Sequence, residues 1–190
     1  VRVLQFGRFN NAEQNGGVER HMKLLCSGLA DLDVDVTYLV AGDSLHTKDS
    51  QVNTATNSYR LVEAATLGTF FSTAISPMQV IKAISMHRQQ AFDVVHLHFP
   101  NPLAHLASFL LPSNIKRVIT WHSDIIRQKR LLAIYLPFLR RIALRADALI
   151  AATPAHFTSS TQIPDSLPVA KRHVIPYGRE FSDLVLTASA

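Results

Sequence analysis

Four short groups in this sequence hold side chains able to do chemistry. His122, Ser123 and Asp124 end the apolar run Val118-Ile119. A Ser-His-Asp relay needs three groups converging from separate positions. Neighbouring side chains diverge, so three adjacent residues do not form one, and His122 is left as a lone hydrogen-bonding group for a polar substrate. His96-Leu97-His98 places two imidazoles on one side of a strand, with Asn101 just beyond. His98 is nearer the strand end and is the ligand-facing candidate; His96 reads as a core histidine bonded to a neighbour. With His122 the pair also suggests a zinc site, although no carboxylate or cysteine completes an obvious set. Gly16-Gly17 opens a helix, whose free N–H groups and positive dipole end suit a phosphate. Glycine also lets an oxygen approach the backbone closely; the competing reading is a plain flexible turn. Arg127, Lys129 and Arg130 read either as the solvated face of a helix or as a site for an acceptor's phosphate or an anionic bilayer.

The elements that must position these groups follow from hydrophobic periodicity. Residues 1–6 predict a buried strand, and residues 7–16 a polar loop. Val18, Met22, Leu25, Leu29 and Leu32 recur at helical steps, and residues 34–40 predict the second strand. Strand, glycine turn, helix, strand is a βαβ unit, which implies a parallel sheet. Residues 43–58 are polar and predict an exposed loop, with a further strand over 59–65. Pro77 begins a helix running to about residue 90. A strand over 92–99 leads into a helix from Asn101-Pro102 to residue 111, and residues 116–121 form the strand that carries His122. In the segment 127–145, Leu131, Leu132, Tyr135, Leu136, Phe138, Leu139 and Ile142 fall on one side; Lys129, Arg130, Arg140 and Arg141 fall on the other. Pro137 predicts a kink or break there. A strand over 146–152, a helix capped by Thr153 with Pro154 at its first position, and a strand over 172–175 complete the chain. In such a sheet ligands sit outside the carboxyl ends of the strands, where His98 and His122 lie.

Bulk properties narrow the classes. A chain of 190 residues fits one domain with a substantial core. No apolar run reaches the roughly 18 residues of a membrane helix, and the start lacks the pattern of a signal peptide. The single cysteine, Cys26, rules out an internal disulfide, which suits a cytoplasmic protein; mid-helix, it reads as a small buried residue. The net charge of +5 is uneven: residues 1–110 carry 8 Lys/Arg and 9 Asp/Glu, and residues 111–190 carry 11 and 5. The second half therefore holds the whole excess, which suggests a phosphate-bearing ligand or an anionic membrane. Nucleic acid ranks last, since no basic stripe interleaved with aromatics is present. The dinucleotide fingerprint Gly-x-Gly-x-x-Gly is absent and the loop after Gly7 is too long for it. Asp43, at the second strand's end, is a ribose-binding candidate that reads equally as a turn residue. A nicotinamide enzyme is disfavoured.

Six segments in order carry a resemblance: residues 2–7, Gly16-Gly17-Val18-Glu19-Arg20-His21, residues 93–102, Thr120-Trp121-His122-Ser123-Asp124, residues 146–151, and Val174-Ile175-Pro176-Tyr177-Gly178. Together they resemble the N-terminal domain of the GT-B glycosyltransferases grouped as family 4, and residues 121–135 look most like a bacterial subgroup that builds surface polysaccharides, often mannosyl transferases. The resemblance implies an α/β fold with a Rossmann-like open, mostly parallel sheet and helices on both faces, one half of a GT-B molecule. It implies a domain over residues 1–178, with 179–190 starting the link to a missing C-terminal donor-binding domain. It further implies Gly16 and Gly17 at the diphosphate of a nucleotide sugar, and His122 facing the transferred sugar. His98, Asn101, Arg127 and Lys129 would border the acceptor pocket, and Arg20 would support the glycine loop or reach the acceptor. Tyr177 stands where many relatives have Asn. Transfer would retain anomeric configuration, without a metal or other cofactor, to a glycan or lipid-linked acceptor, in the cytoplasm, with peripheral contact at the inner face of an anionic membrane as a further expectation. The Glu-x7-Glu pair of the donor-binding domain is missing: Glu13, Glu19, Glu63 and Glu180 never have that spacing. The expectation is an acceptor-side fragment without transferase activity of its own. The alternatives are a GT-B sugar-nucleotide epimerase domain and a non-catalytic sugar- or phosphate-binding domain.

Overall fold

A computed structural model describes residues 1–9, 16–70, 73–126 and 129–178 of the chain. Its centre is an eight-stranded sheet. In chain order the sheet strands are β1 (Arg2–Phe9), β2 (Asp35–Ala41), β3 (Lys48–Asn53), β4 (Ser58–Ala64), β7 (Val94–Phe99), β8 (Lys116–Trp121), β9 (Ala148–Ala151) and β10 (Arg172–Val174). Strands β5 (Gly68–Phe70) and β6 (Thr73–Ile75) pair separately as an antiparallel ribbon. The helices are α1 (Gly17–Asp31), α2 (Pro77–Gln89), α3 (Pro102–Leu110), α4 (Lys129–Arg145) and the short α5 (Ala155–Ser159). The sheet order is β10-β9-β8-β7-β1-β2-β4-β3. Every neighbouring pair is parallel except β3 with β4.

That order reverses between β1 and β7. From β1 the chain winds outward through β2 to β4; α2 then carries it back past β1 to β7, and it winds the other way. The helices that follow the two strands, α1 and α3, cover opposite faces of the sheet, which opens a crevice at the strands' carboxyl ends. Gly16-Gly17, His98, Asn101 and His122 all lie at this end.

Strand parity separates the two faces. Leu4, Phe6, Val95, Leu97, Phe99, Ile119, Trp121 and Leu149 enter the larger apolar core, which α2, α3 and α4 cover. Val36, Tyr38, Val40, Tyr59 and Leu61 meet Met22, Cys26 and Ala30 of α1 on the other face. That second core draws nothing from β7, β8 or β9. There the same face carries Gln5, His96, His98 and Thr120, all buried, so an apolar layer gives way to a polar one at the switch between strands.

Several expectations are corrected. Residues 43–58 are not simply a loop: β3 lies within them as an edge strand, bonded through its backbone to β4. Its side chains are nearly all exposed, so no hydrophobic alternation marks it. β1 runs on to Phe9, so Gly7 belongs to the strand and not to the following loop. A Cβ at Gly7 would stand 2.5 Å from the Tyr38 hydroxyl and 2.6 Å from Val40 Cγ1, which is why glycine is required. Helix α4 continues through Pro137. Pro137 and Ala133, whose carbonyl loses its N–H partner, are both exposed, so that carbonyl is open to solvent and the helix is not broken. Leu131 is 55% exposed and lies off the buried stripe that Leu139 and Ile142 occupy. Helix α5 begins after Pro154, not after Thr153, and Pro154 is its cap; the Thr153 hydroxyl pairs with His156 Nδ1 at 2.9 Å. The expectations for residues 10–15, Arg127 and residues 179–190 lie outside the described residues.

Candidate functional site at the strand switch

Local sequence builds each wall of the crevice. At the start of α1, Gly16 is the N-cap, in extended conformation and without a side-chain cap. Among the described residues nothing stands within 4 Å of where a Cβ of Gly17 would be. The first-turn N–H groups of α1 have no partner within their own helix, which is what an anion site at a helix start uses. Arg20 follows on the first turn with its side chain exposed, and its backbone N–H donates to Gly16 O at 3.2 Å.

One turn beyond Gly17, His21 leans over the sheet. Its ring lies 5.7 Å from that of His122, 6.1 Å from that of His98 and 4.6 Å from that of Tyr177. Beneath it His96 stacks on His98 at 4.6 Å, while His98 and His122 meet edge to edge with their planes 20° apart and their ring centres 5.2 Å apart. His122 extends the ladder past β8 by donating its N–H to Phe99 O at 3.3 Å. Tyr177 closes the far side; its ring is 4.9 Å from His122 and its hydroxyl donates to Trp121 O at 2.9 Å.

Charge is held out of the cluster. Burial, with positive charge from His21, Arg8 and His156, pushes the His122 imidazolium down to about 3. Burial brings His96 to about 3 as well and holds His98 well below the ordinary range. Burial also lowers His21. At neutral pH these rings are uncharged, each offering one donor and one acceptor.

His98, expected to face the ligand, is 1% exposed and spends both ring nitrogens inside the protein: Nε2 meets Gln5 Nε2 at 2.5 Å and Nδ1 meets His122 Nε2 at 2.9 Å. It reaches the crevice only through His122, which is partly exposed. His96 is the core histidine expected, bonded to Thr120 Oγ1 at 2.7 Å. Asn101 is buried and serves the scaffold: its Oδ1 accepts from Ala104 N, capping α3, and its Nδ2 donates to Gly7 O at 3.1 Å. Gln79 Nε2 donates to the same carbonyl at 3.1 Å. Two buried amides thus pin the end of β1 before the chain turns toward Gly16. Arg127 lies outside the described residues, as does the side chain of Lys129.

Asp124 takes no part in a relay with His122. It accepts from Trp121 Nε1 at 3.0 Å, Ser160 Oγ at 2.7 Å and Thr161 N at 3.1 Å. Gln162 adds a second clamp, exchanging two 3.0 Å bonds with the backbone of Ile125. Together they hold the segment that leaves His122 and leads toward α4. Among the described residues no group of three His, Cys, Asp or Glu side chains is placed to hold a metal ion. Gln5 and His21 are the site residues that sequence reasoning missed. The available signals were a lone glutamine in an apolar strand and a histidine one helical turn beyond the glycine pair.

Comparison with known proteins gives this crevice its context. The family model for Glycosyltransferase Family 4 matches residues 15–180. The chain is 31% identical over 178 residues to D-rhamnosyltransferase WbpZ of Pseudomonas aeruginosa, covering 94% of this chain and 45% of that protein. It is 26% identical over 186 residues to O-antigen chain mannosyltransferase C of Escherichia coli, covering 97% and 47%. It therefore spans less than half the length of these curated relatives. Sucrose-phosphate synthase from Thermosynechococcus elongatus superimposes with a TM-score of 0.66 at 15% identity, over 92% of this chain and 47% of that one. This likeness is one of fold, and the fold is that expected of one half of a GT-B molecule.

Proposed function

Because the chain belongs to Glycosyltransferase Family 4, we propose that it is the acceptor-side half of a retaining glycosyltransferase moving a sugar from a nucleotide-sugar donor to a glycan acceptor. The observation that carries this is the placement of His122 and the glycine N-terminus of α1 at one strand switch, linked through the ring of His21. The α1 N–H groups and dipole receive the donor's diphosphate and stabilise the charge it gains as the anomeric C–O bond breaks. His122 hydrogen-bonds the transferred sugar. The acceptor hydroxyl oxygen forms the new bond on the face the diphosphate leaves, its proton passing to the departing diphosphate oxygen, and closure of the crevice excludes water. No metal is needed in this scheme, and His98, with both nitrogens engaged, is not available as a ligand.

The relatives' names mention D-rhamnose and mannose. D-rhamnose is 6-deoxymannose, so a donor of the manno configuration is the first to try. A screen of nucleotide sugars with the full-length protein and a lipid-linked glycan acceptor tests the reading. Transfer with inversion, or none with any donor, overturns it. The comparisons lend no support to an epimerase or a purely binding domain.

The reading includes a cytoplasmic site of action beside an anionic membrane. No helix among the described residues is long and apolar enough to cross a membrane. Ile126, Leu131 and Ile134 are 74%, 55% and 81% exposed at the start of α4, next to the exposed Arg130. Apolar and basic groups so mixed suit the interface of an anionic bilayer. Co-sedimentation with vesicles should rise with anionic lipid content and fall with salt; indifference to both removes this part of the reading.

A further inference from the structure

The site reading gives His122 a hydrogen bond to the sugar without saying which partner donates. The residues beneath it decide that. Gln5 on β1 is wholly buried, and its Nε2 stands 2.5 Å from His98 Nε2. Its Oε1 is buried with no partner among the described residues. Reversing the carboxamide would put two N–H groups in that same place without acceptors, and orphaned buried N–H groups are rarer than under-satisfied carbonyls. The amide nitrogen therefore faces His98 and donates.

The rest follows by elimination along the chain of bonds. His98 Nε2 accepts from Gln5, so the neutral ring carries its proton on Nδ1. Nδ1 is 2.9 Å from His122 Nε2 and donates to it. His122 then carries its own proton on Nδ1, for which no hydrogen-bond partner exists among the described residues. A charged His98 would donate from both nitrogens and clash with the Gln5 amide, so burial that keeps the ring neutral also keeps the chain of bonds intact.

We propose that Gln5 and His98 are positioning residues that lock His122 in its Nδ1–H tautomer, so that His122 meets the sugar as a hydrogen-bond donor to an oxygen lone pair and not as a base. This rests on the glycosyltransferase reading for the identity of the ligand. The tautomer itself does not depend on that reading.

The test uses full-length protein labelled with 15N-histidine, in which one- and two-bond 1H–15N correlations report which ring nitrogen holds the proton. In the wild type, His122 and His98 should each show a protonated Nδ1 and a bare Nε2. A His122 protonated on Nε2 overturns the proposal, and this measurement needs no variant to fold. Gln5→Met keeps the side-chain length and removes the donor. His122 should then divide between its two tautomers, and kcat/KM for the nucleotide sugar found in the screen should fall roughly twofold, since about half the molecules present the N–H. The resonances of His105, on the opposite face of the sheet, should stay in place and show that the fold is kept. An unchanged His122 tautomer in folded Gln5→Met overturns the role of Gln5. If no nucleotide sugar is turned over, the functional reading fails while the imidazole spectra still decide the tautomer.

Discussion

A histidine whose ring stays neutral down to about 3 behaves unlike one at the surface. His122 is held between an imidazole below, another above and a phenol at the side, and the water that would solvate its charge is largely displaced. It is therefore suited to a directed hydrogen bond and poorly suited to carrying positive charge. Replacing it by alanine should lower kcat/KM of the full-length protein by about ten- to a hundredfold, the worth of one good hydrogen bond plus some loss of orientation. Steady-state kinetics against the nucleotide sugar measures this, and an unchanged rate would remove His122 from the site. The same burial sets an acid limit on stability. His96, His98, His105 and His122 all have depressed values in the fold, whereas in the unfolded chain each titrates near 6.5. Between about 6.5 and 3 the unfolded state binds more protons, so stability rises with pH across that window and is lost as pH falls through it. Above about 6.5 these groups impose no dependence. The thermal midpoint should drop steadily from pH 6.5 to pH 4, and less steeply for His105→Gln; a flat profile would show that the imidazoles are better solvated than the packing implies.

Elements fix where these rings stand, and two contacts between elements are exposed to test. Gly7→Ala forces a methyl against the Tyr38 hydroxyl and Val40, and should cost about 1–3 kcal/mol, as overpacking does. Asp124→Ala removes an acceptor used by the Trp121 indole, the Ser160 hydroxyl and the Thr161 N–H. It should cost a similar amount, about 1–3 kcal/mol. Urea unfolding reads both; a loss below about 0.5 kcal/mol at either position would contradict the contact in question. The elements differ in how far the sequence revealed them. β7 and β8 were legible because Val94 to Phe99 and Val118 to Trp121 are apolar on the face that α3 and α4 cover. β3 was not: Lys48, Asp49 and Gln51 are exposed and polar, and the strand is held by backbone pairing and by the Asp49–Arg60 ion pair, neither of which makes a hydrophobic pattern. Charged side chains on an edge strand also discourage pairing with another chain. Of the kink or break expected at Pro137, the break is absent, since the carbonyl that proline leaves without a partner lies on the exposed side of α4. The site was half legible. His122 and the glycine pair stand out by type, but Gln5 and His98 meet across 93 residues of sequence, and only the register of β1 on β7, which pairs Gln5 with His96, brings them together.

At the scale of the whole molecule the crevice is one-sided among the described residues. The sheet reverses at β1 and β7, α1 and the segment around Tyr177 flank the opening, and His122 looks out of it. Nothing in the 190 residues supplies a carboxylate pair with the spacing expected of a donor-binding wall, and the chain spans 45% and 47% of the two curated relatives. On the proposed reading, the described residues would touch a nucleotide sugar at its diphosphate and at one edge of its sugar. Orientation accounts for much of the rate in a transfer that must place an acceptor oxygen against one face of the anomeric carbon, and a ligand held by one edge is not oriented. The 190-residue chain alone should therefore show background transfer only, while a protein that continues to the length of its relatives shows turnover. Mixing the chain with the separately expressed remainder should restore part of the rate, rising with concentration as the two halves meet. Robust transfer by the 190 residues alone, under conditions where His122→Ala abolishes it, would mean that the cleft is complete within this sheet and that the second wall is dispensable.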